Sequence, residues 1–243
     1  MQRYRIDLNY DGTDFFGWQR QPQSISVQET IEETISKLFS NHPIEVVGCG
    51  RTDTGVHAKH YVLHTDLPEE IDEKQFKFKL NRMLPDSIAI LGVEKALSDF
   101  HARFDAKSRS YRYFIHRSKN PFNVKFSWYL PQALNLSKMN EATKYMLGKQ
   151  DFTSLSKINS DVKTHICDVS AAKWVQDGEN LFFDITADRF LRNMVRATVG
   201  TLVDVGLGKI SPEEFNFILQ RKDRQAASTS APSNGLFLWE IEY

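Results

Sequence analysis

Two strand-like segments enclose a glycine-rich loop near residue 50, and this arrangement limits how the chain can fold. Residues 44–47 and 61–65 are rich in β-branched, aromatic and apolar side chains, which favours strands. The loop between them, Gly48–Lys59, holds three glycines around Arg51-Thr52-Asp53. Glycine permits sharp turns and close approach of a ligand, and strand ends hold a loop rigidly. The sequence therefore predicts that Asp53 is presented by the end of a sheet.

The N-terminus supplies another strand of this sheet. Its apolar side chains recur with period two, as expected for a strand with one face on a core: Tyr4, Ile6, Leu8 and Tyr10. A loop over residues 11–20 follows. Ser26 and Glu29 then form a capping-box pattern that predicts a helix from Ser26 to about Phe39.

The rest of the chain mixes strands and helices. Further strands are predicted at residues 88–93, 110–116, 167–175, 181–186 and 236–241, and helices at residues 72–82, 137–148 and 190–205 and from Ser211. Asn120-Pro121 and Leu130-Pro131 interrupt the middle of the chain. We expect an α/β (α+β) fold with a mostly antiparallel mixed sheet, in two lobes, 1–118 and 119–243, with a cleft between them.

Composition indicates an ordinary globular protein. Of 243 residues, 41% are hydrophobic and 26% are charged, and no segment approaches the roughly 20 apolar residues of a membrane helix. We therefore expect a cytoplasmic protein. Cys49 and Cys167 stand far apart and match neither a disulfide framework nor a zinc-ligand spacing.

The charge balance does not by itself indicate a protein that binds nucleic acid. The formal net charge is zero, whereas phosphate binding depends on clustered Lys and Arg. Such a cluster does occur locally, at Arg103, Lys107, Arg109, Arg112, His116 and Arg117. Any nucleic-acid surface must therefore depend on local clusters, and the zero net charge predicts a divided surface or weak affinity.

The Gly-Arg-Thr-Asp segment by itself is a weak pattern. An aspartate in a glycine-rich loop is commonly a turn former that hydrogen-bonds its own backbone. The segment lacks the Gly-Lys-Ser/Thr ending of a P-loop and the Gly-x-Gly-x-x-Gly turn of a dinucleotide site. Nucleotide cofactors are therefore not expected.

Several motifs in order along the chain resemble one known family. Residues 48–58 closely resemble the Gly-Arg-Thr-Asp-Ala-Gly-Val-His signature of the tRNA pseudouridine synthase A (TruA) family, with Thr54 in place of the usual alanine. Matching stretches occur at residues 10–20, 100–104, 108–113, 151–154 and 190–200. The resemblance covers nearly the whole chain and implies a two-lobed pseudouridine synthase fold.

The resemblance implies that Asp53 is the essential catalytic group. Pseudouridine formation breaks the bond from ribose C1′ to uracil N1, turns the base and joins C1′ to C5. A carboxylate can act as a nucleophile at C1′ or at uracil C6, or as the base that starts a glycal route. These three routes remain open, and none needs a metal, a redox group or a nucleotide cofactor.

Two further catalytic residues follow from the resemblance. Tyr111 is expected to pack on the target base and to assist removal of the C5 proton, which suits an aromatic phenol. Tyr113 shares its strand face by period two and competes for this assignment. Arg196 is expected to pair with Asp53, which would keep the carboxylate ionised and oriented.

Other residues are candidates for RNA contact. Arg51 is expected to fill the space left by the extruded uridine, because C1′ and C5 cannot be reached in a stacked stem. Arg192 shares a helical face with Arg196 at i, i+4 spacing and could contact phosphate. Arg20 and Arg109 lie in the two segments expected to grip the RNA backbone, where Trp18, Tyr111 and Tyr113 are interleaved with basic groups.

The resemblance also implies a homodimer that acts on the tRNA anticodon stem-loop at positions 38, 39 and 40.

Two alternative functions remain open. One is a non-catalytic RNA-binding module with a vestigial loop. The other is a carboxylate glycosidase or nucleosidase, which would need a second acid, and no second acid lies in the Asp53 loop.

Overall fold

The computed structural model describes residues 1–157 and 162–243. The chain divides into two compact units, one formed by Met1–Lys107 with Leu238–Tyr243 and the other by Ser108–Phe237. The expected lobe boundary, 118/119, differs from this division, because Ser108–His116 pairs with a strand of the second unit and Leu238–Tyr243 belongs to the first. Within the described ranges, no helix combines the length and apolar content needed to cross a membrane.

The described residues form ten strands and five α-helices. The strands are β1 (Gln2–Tyr10), β2 (Val46–Gly48), β3 (His57–Leu67), β4 (Ile88–Lys95), β5 (Ser108–His116), β6 (Trp128–Tyr129), β7 (Gly148–Asp151), β8 (Ile166–Asp177), β9 (Asn180–Ala187) and β10 (Leu236–Glu242). The helices are α1 (Val27–Leu38), α2 (Glu73–Met83), α3 (Leu136–Thr143), α4 (Met194–Gly206) and α5 (Pro212–Gln220).

In the first unit the strands run β4-β1-β3-β10, and β2 pairs with β3. Strand β1 is antiparallel to β3, with Gln2 opposite Leu67 and Tyr10 opposite Ala58. The predicted period-two face of β1 is buried, which confirms that strand. The last residues of β1 lie beside the first residues of β3. The segment that follows β1 and the segment that precedes β3 therefore both leave the sheet at the same end of these strands.

Helix α1 begins where the sequence predicted. The Ser26 side chain accepts the Glu29 N–H at 3.2 Å. The Glu29 carboxylate pairs with Arg20 at 3.3 Å. Ile31 and Ile35 are buried, and α1 packs near β2 and α2. The helix thus covers the strand that leads into the Asp53 loop.

The second unit holds a sheet in the order β5-β9-β8-β7, with every neighbouring pair antiparallel. The short β6 pairs in parallel with β5. Helices α3, α4 and α5 pack on one another, and α3 also packs on β8. The mixed α/β class with mostly antiparallel strands is therefore confirmed in each unit.

Two predicted helix starts are wrong. Helix α4 begins at Met194 and not at Phe190, because Asn193 adopts the left-handed conformation at φ 64°, which interrupts a helix. Helix α3 is capped by Asn135, which accepts the Lys138 N–H at 3.1 Å, and not by Ser137. The predicted start at Ser211 is confirmed as a full capping box with Glu214.

Candidate active site

The Asp53 loop comprises residues 49–56, between β2 and β3. It is shorter than the predicted Gly48–Lys59, because β3 already begins at His57. The Cys49 N–H donates to the Val62 carbonyl at 2.8 Å, and the Val56 N–H donates to the Asp53 carbonyl at 3.1 Å. The first end of the loop is therefore bonded to β3, and its second half closes in a turn that runs directly into β3.

Exposure alternates along the centre of the loop. Arg51 and Thr54 are exposed, Thr52 is buried and Asp53 is half-buried. The buried Thr52 hydroxyl lies 2.8 Å from the Tyr10 hydroxyl. The side chain between Arg51 and Asp53 thus points into the protein and anchors the loop.

The segment that follows β1 runs alongside this loop. The Trp18 N–H donates to the Thr52 carbonyl at 3.2 Å, and the Gly55 N–H donates to the Phe15 carbonyl at 3.2 Å. Gly17 has φ +88°, and a Cβ there would lie 2.5 Å from the Thr52 oxygen. Only glycine fits this position, so residues 12–18 act as a backbone support for the loop.

Trp18 does not have the role that the sequence predicted for it. Its side chain is only 2% exposed and stacks on Tyr61, with ring centroids 4.0 Å apart. A buried indole cannot grip RNA, so that interpretation is wrong for Trp18. Arg20 is exposed and pairs with Glu29 and Glu32 at 3.3 and 3.4 Å.

Sequence reasoning missed the role of two tyrosines beneath the loop. Tyr61 donates its hydroxyl to the Gly50 carbonyl, and the Tyr10 hydroxyl contacts Thr52 as described above. Their sequence signal was the choice of tyrosine at buried strand positions, where a phenol needs a polar partner. The partners become visible only in the folded chain.

Strand β5 of the second unit carries the two candidate tyrosines in different surroundings. Tyr111 is half-buried and meets the edge of Phe190 at 4.9 Å and 83°. Tyr113 is fully buried, and its hydroxyl donates to the Pro232 carbonyl at 2.8 Å. Burial raises the pKa of the Tyr113 phenol well above its usual range, and the Arg196 charge offsets part of this rise. Tyr113 is therefore a structural residue, which leaves Tyr111 as the candidate.

Arg196 lies in the first turn of α4 and is half-buried. Its Nε donates to the Ala231 carbonyl at 2.8 Å, and the Ala231 N–H donates back to the Arg196 carbonyl at 2.9 Å. The guanidinium is thereby held against the segment 227–231, which forms neither helix nor strand. The hydrogen bond from Nε fixes the orientation of the Arg196 guanidinium.

Three further arginines of the second unit lie outside α4, with Arg109 and Arg112 on β5 and Arg192 before α4. Arg192 is exposed but precedes α4, so its predicted helical spacing to Arg196 is wrong. Arg109 is half-buried, and its guanidinium donates to the Asp188 carbonyl at 3.0 Å. Arg112 donates two hydrogen bonds to Asp184, at 2.6 and 2.8 Å, and so forms an ion pair between neighbouring strands.

The described His, Cys, Asp and Glu side chains do not gather into a metal-binding group. Across residues 1–157 and 162–243, no group of three or more His, Cys, Asp or Glu side chains is arranged to hold a metal ion. The residues that the sequence motifs single out are Arg20, Arg51, Asp53, Arg109, Tyr111, Arg192 and Arg196.

Comparison with known proteins identifies the family. A family model described as tRNA pseudouridine synthase matches residues 8–105 and 142–243. The chain is 47% identical to tRNA pseudouridine synthase A of Bacteroides thetaiotaomicron over 100% of this chain and 91% of the relative. It is 46% identical to that of Parabacteroides distasonis, covering 100% and 96%, and 40% identical to that of Bacillus subtilis, covering 99% and 99%. The resemblance drawn from the motifs is confirmed, and the chain belongs to the tRNA pseudouridine synthase family.

Proposed function

We propose that this protein is a cofactor-independent tRNA pseudouridine synthase that isomerises uridine at positions 38, 39 and 40 of the anticodon stem-loop. The observation that carries the proposal is the Asp53 loop, a half-buried carboxylate on a backbone hydrogen-bonded to β3 and to the segment after β1. Full-length similarity to proteins named tRNA pseudouridine synthase A supports the substrate class.

The reaction needs few groups. The C1′–N1 bond breaks, C1′ joins C5, the C5 proton leaves and N1 gains a proton, so atoms and electrons balance without an oxidant or a co-substrate. Asp53 supplies either the nucleophile or the first base. The clamped backbone favours both roles, because reacting groups must be held close to their productive geometry.

Recognition rests on shape and backbone contact. The uridine must leave the stack for its C1′ and C5 to be reached, which costs a few kcal/mol. Arg51 is exposed two residues before Asp53, so its planar cation is available to occupy the vacancy. The exposed Arg20 and Arg192 and the half-buried Arg109 are proposed to contact phosphates.

The proposal includes a dimeric assembly and a cytoplasmic location. A cytoplasmic homodimer, in which one protomer grips the tRNA while the other presents Asp53, is what the family resemblance implies. Modification of three neighbouring positions accords with recognition of RNA by shape more than by base identity.

Tyr111→Phe is expected to bind tRNA normally and to lose the chemical step. Phenylalanine keeps the stacking face but cannot relay the C5 proton, so we expect the single-turnover rate to fall by roughly 10²-fold or more. The matched control is Tyr113→Phe on the same strand, which removes a buried hydroxyl bonded to Pro232 and should lower stability while retaining turnover. Equal rates for Tyr111→Phe and the unmodified protein would show that the hydroxyl is dispensable.

Arg196→Ala is expected to stay folded but to turn over roughly 10²-fold more slowly, because Asp53 would lose its expected cationic partner. The hydrogen bond to Ala231 also disappears, which should cost about 1 kcal/mol of stability. Arg196→Lys keeps the positive charge but loses the planar guanidinium, so its turnover rate should lie between those of Arg196→Ala and the unmodified protein. Single-turnover rates and melting temperatures measure both effects, and a wild-type rate in Arg196→Ala would exclude the pairing.

The proposed function is tested by release of tritium from tRNA that carries 5-tritiated uridine, without added cofactor. We expect release from the anticodon stem-loop, with the modified sites mapped to positions 38, 39 and 40. Release of free uracil would instead indicate a nucleosidase. RNA binding with no tritium release from any tRNA would support the non-catalytic RNA-binding module.

A further inference from the structure

Three aromatic side chains pack beneath the Asp53 loop, and we name Tyr10, Trp18 and Tyr61 the aromatic clamp. Their exposed fractions are 4%, 2% and 0%. Tyr10 and Tyr61 belong to the paired strands β1 and β3, whereas Trp18 lies in the segment after β1. Two of the three clamp residues are therefore carried by the sheet, and none belongs to the loop that they contact.

The members of the aromatic clamp hold two residues of the loop, Gly50 and Thr52. The Tyr61 hydroxyl donates to the Gly50 carbonyl. The Tyr10 and Thr52 hydroxyls lie 2.8 Å apart, and the Trp18 backbone N–H donates to the Thr52 carbonyl at 3.2 Å. The backbone is thus fixed on both sides of Arg51 and immediately before Asp53.

The rings also fix one another. Trp18 and Tyr61 stack with centroids 4.0 Å apart and an interplanar angle of 26°. Tyr10 lies 5.6 Å from Tyr61 and 6.3 Å from Trp18. Because these buried contacts define the ring positions, the hydroxyl of each tyrosine reaches a defined point of the loop.

We propose that the Tyr10 and Tyr61 hydroxyls are positioning groups that set the Arg51-Thr52-Asp53 backbone for catalysis, with Trp18 holding the two rings in register. This inference rests on the proposed function. A misplacement of about 1 Å in a reacting group can cost roughly 10²-fold in rate. Loss of one positioning hydrogen bond should therefore lower the rate of the chemical step without lowering affinity for tRNA.

The test is a double-mutant cycle across the Tyr10–Thr52 contact. Tyr10→Phe, Thr52→Val and the double variant each remove the hydroxyl contact and keep the side-chain volume. We expect each single variant to lower the single-turnover rate roughly tenfold. The double variant should lose no more than either single one, because both act through one hydrogen bond. Thr52→Ser keeps the hydroxyl and should restore most of the rate.

Tyr61→Phe is measured in the same assay. It should lower the rate by a similar factor, and its combination with Thr52→Val should lose more than either single variant, because Tyr61 bonds to Gly50 and not to Thr52. Dissociation constants for tRNA should stay within about twofold of the unmodified protein, since no clamp hydroxyl faces solvent.

Tyr4→Phe provides the matched control. Tyr4 is a buried tyrosine of the same strand whose hydroxyl accepts the Ile71 N–H at 3.1 Å, away from the loop. Its loss should lower the melting temperature as much as Tyr10→Phe does, with an unchanged rate. If the Tyr4 and Tyr10 variants lose rate in parallel with melting temperature, the role is general stability and the inference is overturned.

The remaining outcomes separate the inference from the proposed function. An unmodified protein that forms no pseudouridine would remove the proposed function itself. An active protein whose Tyr10→Phe, Thr52→Val and Tyr61→Phe variants keep the full rate would overturn the aromatic clamp as a positioning device. Multiplicative losses in the Tyr10–Thr52 cycle would contradict action through their shared contact.

Discussion

Asp53→Asn is expected to bind tRNA at least as tightly as the unmodified protein and to form pseudouridine at least about 10³-fold more slowly. Asparagine has nearly the same shape but can serve neither as the nucleophile nor as the base. The loop should keep its position, because its backbone is held through Cys49, Thr52 and Gly55. Single-turnover tritium release measures the rate, and filter binding measures the affinity.

The control for lost charge is Asp86→Asn. Asp86 is exposed in the turn between α2 and β4, and its substitution changes the net charge by the same amount. Both variants should therefore show the same small gain in electrostatic attraction to RNA. If Asp53→Asn retained the rate of Asp86→Asn, the catalytic carboxylate would have to be sought elsewhere in the chain.

The sequence predicted the strands that carry the site because their signal is local. Period-two burial in β1 follows directly from the order of apolar residues, and the ends of β3 differ from the prediction by only a few residues. The Gly-Arg-Thr-Asp motif located Asp53 in a loop between strands. These features depend on neighbours in sequence, so one chain is enough to find them.

The burial of Trp18 and the start of α4 could not be predicted from neighbouring residues in the sequence. Trp18 looked like an exposed RNA contact among polar residues, but it is buried against Tyr61, a residue far away in sequence. The start of α4 was misplaced because a left-handed Asn193 overrides an apolar pattern that continues through Leu191. A tertiary contact determines the burial of Trp18, and the backbone conformation of one residue determines the start of α4.

Net charge was likewise an incomplete guide. Several arginines are committed to carboxylates inside the described units: Arg3 to Asp66, Arg5 to Asp7 and Arg112 to Asp184. Such pairs remove equal numbers of positive and negative charges from the surface available to a ligand. These pairs leave the net charge at zero, so any cationic surface depends on how the other charges are distributed over the folded chain, which composition does not give.

Gly200→Ala is expected to destabilise the second unit, although alanine favours helices. Gly200 lies in α4, where a Cβ would stand 2.0 Å from the Thr229 carbonyl oxygen and 3.3 Å from the Ala231 nitrogen. These are backbone atoms, so the segment 227–231 must move. The strain of overpacking, about 1–3 kcal/mol or more, exceeds the gain of up to about 1 kcal/mol in helix propensity.

This displacement should also reach the proposed catalytic machinery. The segment is bound to Arg196 through both backbone and guanidinium contacts at Ala231, and the Arg224 guanidinium bonds to Ala227, Ser228 and Ser230 within it. A shift of Ala231 therefore changes the support of the Arg196 side chain. We expect the melting temperature of Gly200→Ala to fall by about 2–4 °C for each kcal/mol lost, together with a lower single-turnover rate.

Gly206→Ala in the last turn of the same helix is the matched control. There the nearest atom to a new Cβ is the Met139 sulfur at 2.5 Å, at the flexible end of a side chain that can move. Its melting temperature should fall less than that of Gly200→Ala, and its rate should stay unchanged. Equal stability of the Gly200→Ala variant and the unmodified protein would mean that segment 227–231 can separate from α4 without cost. The contact at Gly200 would then have no part in holding Arg196.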